Sequence, residues 1–303
     1  MSERIAVTAV VVAYASAMHL PSCLAAVRGA CREHDLDIVV VDNASPDDTR
    51  GALAGIDGDV RLVEMGRNAG FAAACNAGVA ATGGEYVCFV NPDARPLPGA
   101  IDALVAAARR RPGHLLYSGK VVTPTGAIDG GCCSALPSLW EYVCFATGLS
   151  TAFPRSRWFD PRALGGWDRG DERVVPAVSG AFLLARREAF ASTGGFDERY
   201  FMYSEDVDLS ARAAAAGLPP LFVPDAVAVH DGGGSSTGGV KTAMVLRGKV
   251  TYLRAHWPPA RRALGVGLLR LGTAVRAAGG RVAGRGQKWR EAWADRRGWR
   301  HGW

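Results

Sequence analysis

Long apolar runs are missing from this chain of 303 residues: nowhere do about 18 uncharged apolar residues follow one another, so no spanning helix is expected. The first residues carry no charged stretch leading into an apolar block and a small-residue cleavage site, so neither is a signal peptide, and a cytoplasmic location is expected. Metal-like cysteine pairing is also missing. The seven cysteines, at 23, 31, 75, 88, 132, 133 and 144, are odd in number, and several lie inside apolar runs where a reduced thiol serves as a small core residue. No Gly-rich phosphate loop follows the first apolar run, where Ala13, Tyr14, Ala15, Ser16 and Ala17 stand instead. That absence argues against a dinucleotide-dependent oxidoreductase or a nucleotidyltransferase.

Acid is scarce in one place only. From Lys241 onward there are 15 Lys and Arg against Glu291 and Asp295, whereas the preceding chain holds 20 basic and 27 acidic residues. The net charge of +6 therefore hides a basic tail on an acidic body.

The body reads as alternating strands and helices. Residues 5–13, 38–41 and 86–90 are β-branched or apolar runs too short for most helices, each bounded by polar, Gly or Pro residues, and they are expected as buried parallel strands. Helices are expected over 19–33, 47–54 and 71–81, giving the order of a doubly wound α/β domain, whose ligands sit at the carboxyl ends of the strands. Those ends carry Tyr14 and Ala15, then Asp42 to Ser45, then Asn91, Pro92 and Asp93. Residues 118–176, rich in Gly, Pro and Trp, are expected as loops and short hairpins. A strand over 181–185, a helix over 186–193, a helix ending near 216 and a strand over 221–229 follow. The Gly/Ser tract 232–239 reads as a linker or as a mobile loop at the site mouth.

Glu205 and Asp206 stand side by side where an aromatic loop, 200–204, turns into a helix. Acids are common in first helical turns because they complement the macrodipole, and Ser204 is placed to cap. A carboxylate at such a point also suits a general base. Asp93 after a strand suits a hard cation as well as it suits a turn, and His230 after the last strand suits a ligand as well as a structural histidine. What favours the chemical readings is position, since each of these residues ends a strand on one predicted rim. Asp208, two residues beyond the base candidate, is expected to be solvated or helix-supporting, and Asp197 with Arg199 to brace the loop.

Six blocks in order, VVVDNASPDD at 39–48, RNAGFAAACNAG at 67–78, NPDA at 91–94, SGA at 179–181, GGFDERYFMYSEDVDL at 194–209, and His230 with Ser235 and Ser236, resemble family 2 glycosyltransferases, in particular a rhamnosyltransferase branch. The resemblance covers residues 5–256. It implies a GT-A fold, a Rossmann-like mixed sheet, with residues 1–117 as the nucleotide-sugar half and 118–239 as the acceptor half of one catalytic domain. It further implies that Tyr14, Asp42, Asn68 and Asn91 line the donor nucleoside, that Asp93 closes a metal-binding DxD whose first Asp is here Asn91, and that His230 is a second ligand or a diphosphate contact. Mg²⁺ or Mn²⁺ is the implied cofactor, Asp206 the implied base, and Glu205 its uncertain neighbour. The implied reaction is inverting transfer from a dTDP- or UDP-sugar, with dTDP-rhamnose favoured, to a lipid-linked or other glycan. Transfer of another sugar to a small-molecule acceptor is the alternative, and a scaffold without turnover is the remote one.

The tail, residues 240–303, is expected as a basic helical extension. Leu264, Leu268, Leu271 and Val275 share one helical stripe, with Arg262 and Arg270 away from it. Such a helix lies on an anionic membrane surface, or packs on the catalytic domain or on the second copy of a homodimer. Lys288, Trp289, Arg290, Trp293, Arg296, Arg297 and Trp299 mix charge and aromatics, but no nucleic-acid-reading module accompanies them and no nucleic acid is expected. Residues 279–303 are expected to be partly disordered.

Overall fold

A computed structural model describes residues 4–56, 58–232, 238–282 and 286–303. In chain order the elements are β1 (Ala6–Ala13), α1 (Leu20–Ala30), β2 (Asp35–Asp42), α2 (Thr49–Ala54), β3 (Val60–Glu64), α3 (Phe71–Ala80), β4 (Tyr86–Val90), β5 (Ala94–Pro96), α4 (Ala100–Arg110) and β6 (Leu116–Val122). They continue with β7 (Cys133–Ser134), α5 (Leu139–Thr147), α6 (Leu149–Ala152), β8 (Arg173–Val174), β9 (Ala177–Val178), β10 (Phe182–Arg186), α7 (Arg187–Ser192), α8 (Glu205–Ala215) and β11 (Leu221–His230). Four helices close the chain: α9 (Gly238–His256), α10 (Pro259–Val282), α11 (Gln287–Ala294) and α12 (Arg296–Trp299).

The main sheet runs β3-β2-β1-β4-β10-β6-β11-β5, with β8 added beside β11. Its first four strands are parallel, because helical crossovers return the chain to the same edge. β10 then enters antiparallel between β4 and β6, so the sheet is mixed. In β1 every residue after Ala6 is buried, as expected of a strand covered on both faces. Each buried valine there contributes on the order of 1.5–3 kcal/mol of transfer free energy.

One expectation fails in the middle of the chain. Residues 118–176 include the helix α5, which the weak periodicity of LWEYVCFAT concealed. Its signal is at the N-terminus: Ser138 Oγ accepts from Glu141 N at 3.1 Å, in a Ser-x-x-Glu arrangement of the capping-box type.

The expected partial disorder of residues 279–303 is not found over 286–303, and residues 283–285 lie outside the described residues. α11 and α12 form within residues 286–303, and Trp299 is fully buried and donates from Nε1 to Ala292 O at 2.8 Å. Trp289 packs on Phe145 of α5 with ring centroids 5.7 Å apart. These aromatics are taken up in packing rather than presented for base stacking.

The four last helices share a second apolar core with the body, in which Tyr142, Tyr200 and Val207 meet Leu246, Val250, Leu253, Trp257 and Leu269. α10 turns Leu269, Thr273 and Ala277 inward. Its other apolar stripe faces out, with Leu264 54% exposed, Leu271 53% and Val275 47%, and Leu268 half-buried. Packing and an open apolar stripe thus occupy different faces of one helix. No helix among the described residues is long and apolar enough to cross a membrane.

Candidate active site

The carboxyl ends of β1, β2 and β4 lie side by side because these strands are parallel neighbours, with Ala13 paired to Asp42 and Val11 to Val90. The loops beyond them are cross-braced. Asp42 Oδ1 accepts from Ser45 N at 2.9 Å, and Ser45 Oγ accepts from Ala15 N at 3.0 Å. Tyr14 lies at this junction half-buried, its backbone N–H donating to Ser16 Oγ at 3.2 Å.

Asn43, buried and not selected from the sequence, donates from Nδ2 to Asn68 Oδ1 at 3.0 Å, while its own Oδ1 accepts from Ala69 N at 2.9 Å. Asn68 Oδ1 also accepts from Gly70 N at 3.1 Å. The Asn68 oxygen is therefore spent on bracing the loop, which leaves its amide N–H groups as the part that can meet a ligand.

Asp93 and His230 are 137 residues apart in sequence and meet at 3.1 Å, His230 Nε2 to Asp93 Oδ1. Strand register brings them together: β5 pairs antiparallel with β11 and sets His230 opposite Ala94. Asn91 Nδ2 lies 3.5 Å from the same imidazole nitrogen. Burial pushes the Asp93 carboxyl up, but the hydrogen bond and charge of His230 outweigh it and hold the group below its ordinary value. The hydrogen bond from Asp93 raises His230 in turn. Among the described residues no group of three or more His, Cys, Asp or Glu gathers in metal-binding fashion. One carboxylate with one imidazole is too few for a closed cage, and it fits Mg²⁺ or Mn²⁺ completed by substrate phosphate oxygens.

Glu205 and Asp206 open α8. Tyr203 and Ser204 before them are both left-handed, at φ 68° and 75°, which costs non-glycine residues roughly 1–2 kcal/mol each. Ser204 makes no side-chain cap, contrary to expectation, since its left-handed backbone is not the extended one that capping requires.

Asp206 remains partly open to solvent. Its Oδ2 accepts from Gly180 N at 3.1 Å and its Oδ1 from Val207 N at 2.8 Å. Burial raises the Asp206 carboxyl above its ordinary value, opposed by those two N–H groups and by the charge of Arg162. The helix start thus moderates a raised pKa rather than simply favouring the ionised form, and the result is a stronger base. Arg162, exposed beside Glu141, had no local signal in the sequence. Glu205 is buried, and its Oε2 finds no hydrogen-bond partner among the described residues. Burial and then the charge of Asp206 push Glu205 well up.

Asp208 is not solvated. It is 1% exposed and accepts from Arg212 Nε at 2.8 Å, His256 Nε2 at 2.7 Å and the Tyr200 hydroxyl at 3.3 Å. Three donors make its burial tolerable: Arg212, four residues on, supports the helix as one of the two expectations had it, whereas Tyr200 and His256 were not visible as partners in the sequence. Asp197 and Arg199 do brace the loop, with Arg199 Nε 2.9 Å from Asp197 Oδ2. Ser235 and Ser236 lie outside the described residues, as does most of the 232–239 tract.

Residues 8–125 match the Glycosyl transferase family 2 domain. A Mycobacterium tuberculosis N-acetylglucosaminyl-diphospho-decaprenol L-rhamnosyltransferase is 34% identical over 255 residues, covering 80% of this chain and 82% of the relative. The chain belongs to glycosyltransferase family 2. Its fold agrees with GT-A enzymes of solved structure. GalNAc-T7 with UDP, GalNAc and Mn²⁺ superposes with a TM-score of 0.60 at 16% identity, over 86% of this chain and 49% of that one. The mannosyltransferase PcManGT from Pyrobaculum calidifontis, in complex with GDP-Man and Mn²⁺, gives 0.56 at 20% identity, over 91% of this chain and 75% of that one. The family 2 glycosyltransferase described here therefore places Asp42, Asn68, Asn91 and Asp93 on one rim of its sheet with His230, and sets the Glu205-Asp206 pair at the head of α8.

Proposed function

We propose that this glycosyltransferase moves L-rhamnose from dTDP-rhamnose to a hydroxyl of an N-acetylglucosaminyl diphospholipid, with inversion at the anomeric carbon. The observation that carries the mechanism is Asp206, a partly open carboxylate fixed by Gly180 N–H at 3.1 Å at the head of α8. The choice of sugar and acceptor rests on the mycobacterial relative, similar along most of both chains.

The acceptor oxygen attacks the anomeric carbon as its proton passes to Asp206, and the bond to the donor diphosphate breaks with its electron pair leaving on the nucleotide. Asp93 and His230 would hold Mg²⁺ or Mn²⁺, which offsets the charge gathering on that leaving group. Tyr14, Asp42, Asn68 and Asn91 hold the nucleoside end. Glu205, too buried to reach an acceptor, stays protonated behind the base.

Incubation with dTDP-rhamnose, UDP- and GDP-sugars, a GlcNAc-diphospholipid and either metal tests the reading. The expected product is an inverted rhamnoside made only from dTDP-rhamnose; transfer from another donor alone, or retention at the anomeric carbon, contradicts it.

A lipid-borne acceptor requires an enzyme that works at a membrane surface, which we place at the inner face of the cell membrane. The exposed Leu264, Leu271 and Val275 of α10 supply apolar contact, and Arg261 and Arg270 on the same acid-free helix are exposed and complement anionic headgroups. Replacing the three apolar residues by serine should abolish co-sedimentation with anionic vesicles while leaving the thermal midpoint in place. Unchanged sedimentation counts against this surface.

A further inference from the structure

The segment that delivers the base is fastened from outside its own half of the molecule. We propose that Trp303 and His256, brought in by the C-terminal helices, are positioning residues that hold residues 201–208 in the conformation that aims Asp206. The proposal rests on Asp206 being the base.

Trp303 Nε1 donates to Met202 O at 3.1 Å, and its ring lies against Phe201 with centroids 5.1 Å apart. Trp303 is itself tied to α9, where its N–H donates to Thr251 Oγ1 at 2.8 Å and the Arg247 guanidinium lies over the indole at 4.8 Å. α9 also presents Gly248 to the backbone of Tyr203 so closely that a Cβ would lie 2.1 Å from Tyr203 O. Only glycine permits that approach. From the other side Phe71 N donates to Phe201 O at 2.8 Å, so the loop is gripped between α3 and the C-terminal helices. His256 grips the far end through Asp208, two residues beyond the base.

The two successive left-handed residues, Tyr203 and Ser204, lie between these anchors. A non-glycine backbone does not keep that conformation unaided, so the surrounding contacts must impose it. Small displacements at a reacting group cost rate steeply, which makes the anchors kinetic as well as structural.

The full-length enzyme with Trp303→Ala, Trp303→Phe or His256→Ala tests this, with kcat, donor KM and amide exchange over residues 202–207 measured at matched folded fraction. Trp303→Ala should lower kcat about 10- to 100-fold with donor KM within about twofold, and speed exchange over 202–207. Trp303→Phe keeps the ring but not the N–H and should recover part of kcat; His256→Ala should show a smaller loss of the same kind. A Trp303→Ala enzyme with wild-type kcat and unchanged exchange overturns the proposal, as does a loss confined to stability or to donor KM. If Asp206→Asn proves active, the base reading fails instead, and accelerated exchange in Trp303→Ala still reports the grip on the loop.

Discussion

The proposed donor rim and the proposed base differ in how their geometry is secured. On the rim, Asp42, Asn91, Asp93 and His230 end or follow strands of one sheet, and strand register carries the Asp93-His230 pair to 3.1 Å. The proposed base is secured in part by contacts from outside its own helix: Gly180 touches Asp206, His256 holds Asp208 and Trp303 holds Met202. A rim made by a sheet tolerates change in the loops around it. A carboxylate held by distant side chains depends on those parts of the chain being folded, including the basic C-terminal helices.

Substitutions at each region sharpen this contrast. The largest effect is expected from Asp206→Asn, which removes proton acceptance and should lower kcat by about 10³-fold with donor KM preserved, within the range known for general bases. Steady-state kinetics at saturating acceptor decide this, and kcat within tenfold of wild type removes Asp206 from the role. Asp93→Asn should lower turnover by about 10²-fold and act on the donor side, so added Mn²⁺ should restore part of the activity. Activity indifferent to metal concentration in that variant breaks the assignment of the rim.

The smallest effect concerns Glu205, which is buried beside Asp206. Its carboxyl is raised in the folded protein, so its contribution to stability is fully present below the ordinary glutamate value and is lost as pH rises through the folded value. Glu205→Gln does not titrate. The variant should therefore gain thermal stability relative to wild type as pH rises from 4.5 to 8, by a few degrees at most for a chain of this size. A difference in melting temperature that stays constant with pH contradicts a buried, protonated Glu205.

The same contrast explains what the amino-acid sequence disclosed. β1, β2 and β4 are apolar β-branched runs, and a parallel sheet made of such runs brings its carboxyl ends together, so the rim was legible down to His230. α5 was not legible by period, although Ser138 and Glu141 marked its start. The surroundings of the base were the least legible part. Asp208 was legible as a helix-supporting acid through Arg212, but its burial was not, because nothing nearby in sequence announces His256. Ser204 looked like a cap, but its backbone is left-handed, in a segment that Gly248 meets at Tyr203 and Trp303 meets at Met202, contacts that nothing nearby in sequence announces. For the basic tail, composition left membrane contact and packing on the catalytic domain both open, and its apolar residues do complete the second core.

The separation of rim and base is tested most directly by titrating dTDP with Mn²⁺ into the Asp206→Asn and Asp93→Asn enzymes by calorimetry. Near-wild-type affinity is expected in Asp206→Asn, with affinity lowered tenfold or more, on the order of 1.4 kcal/mol, in Asp93→Asn. Weak binding in Asp206→Asn together with normal binding in Asp93→Asn would contradict the account.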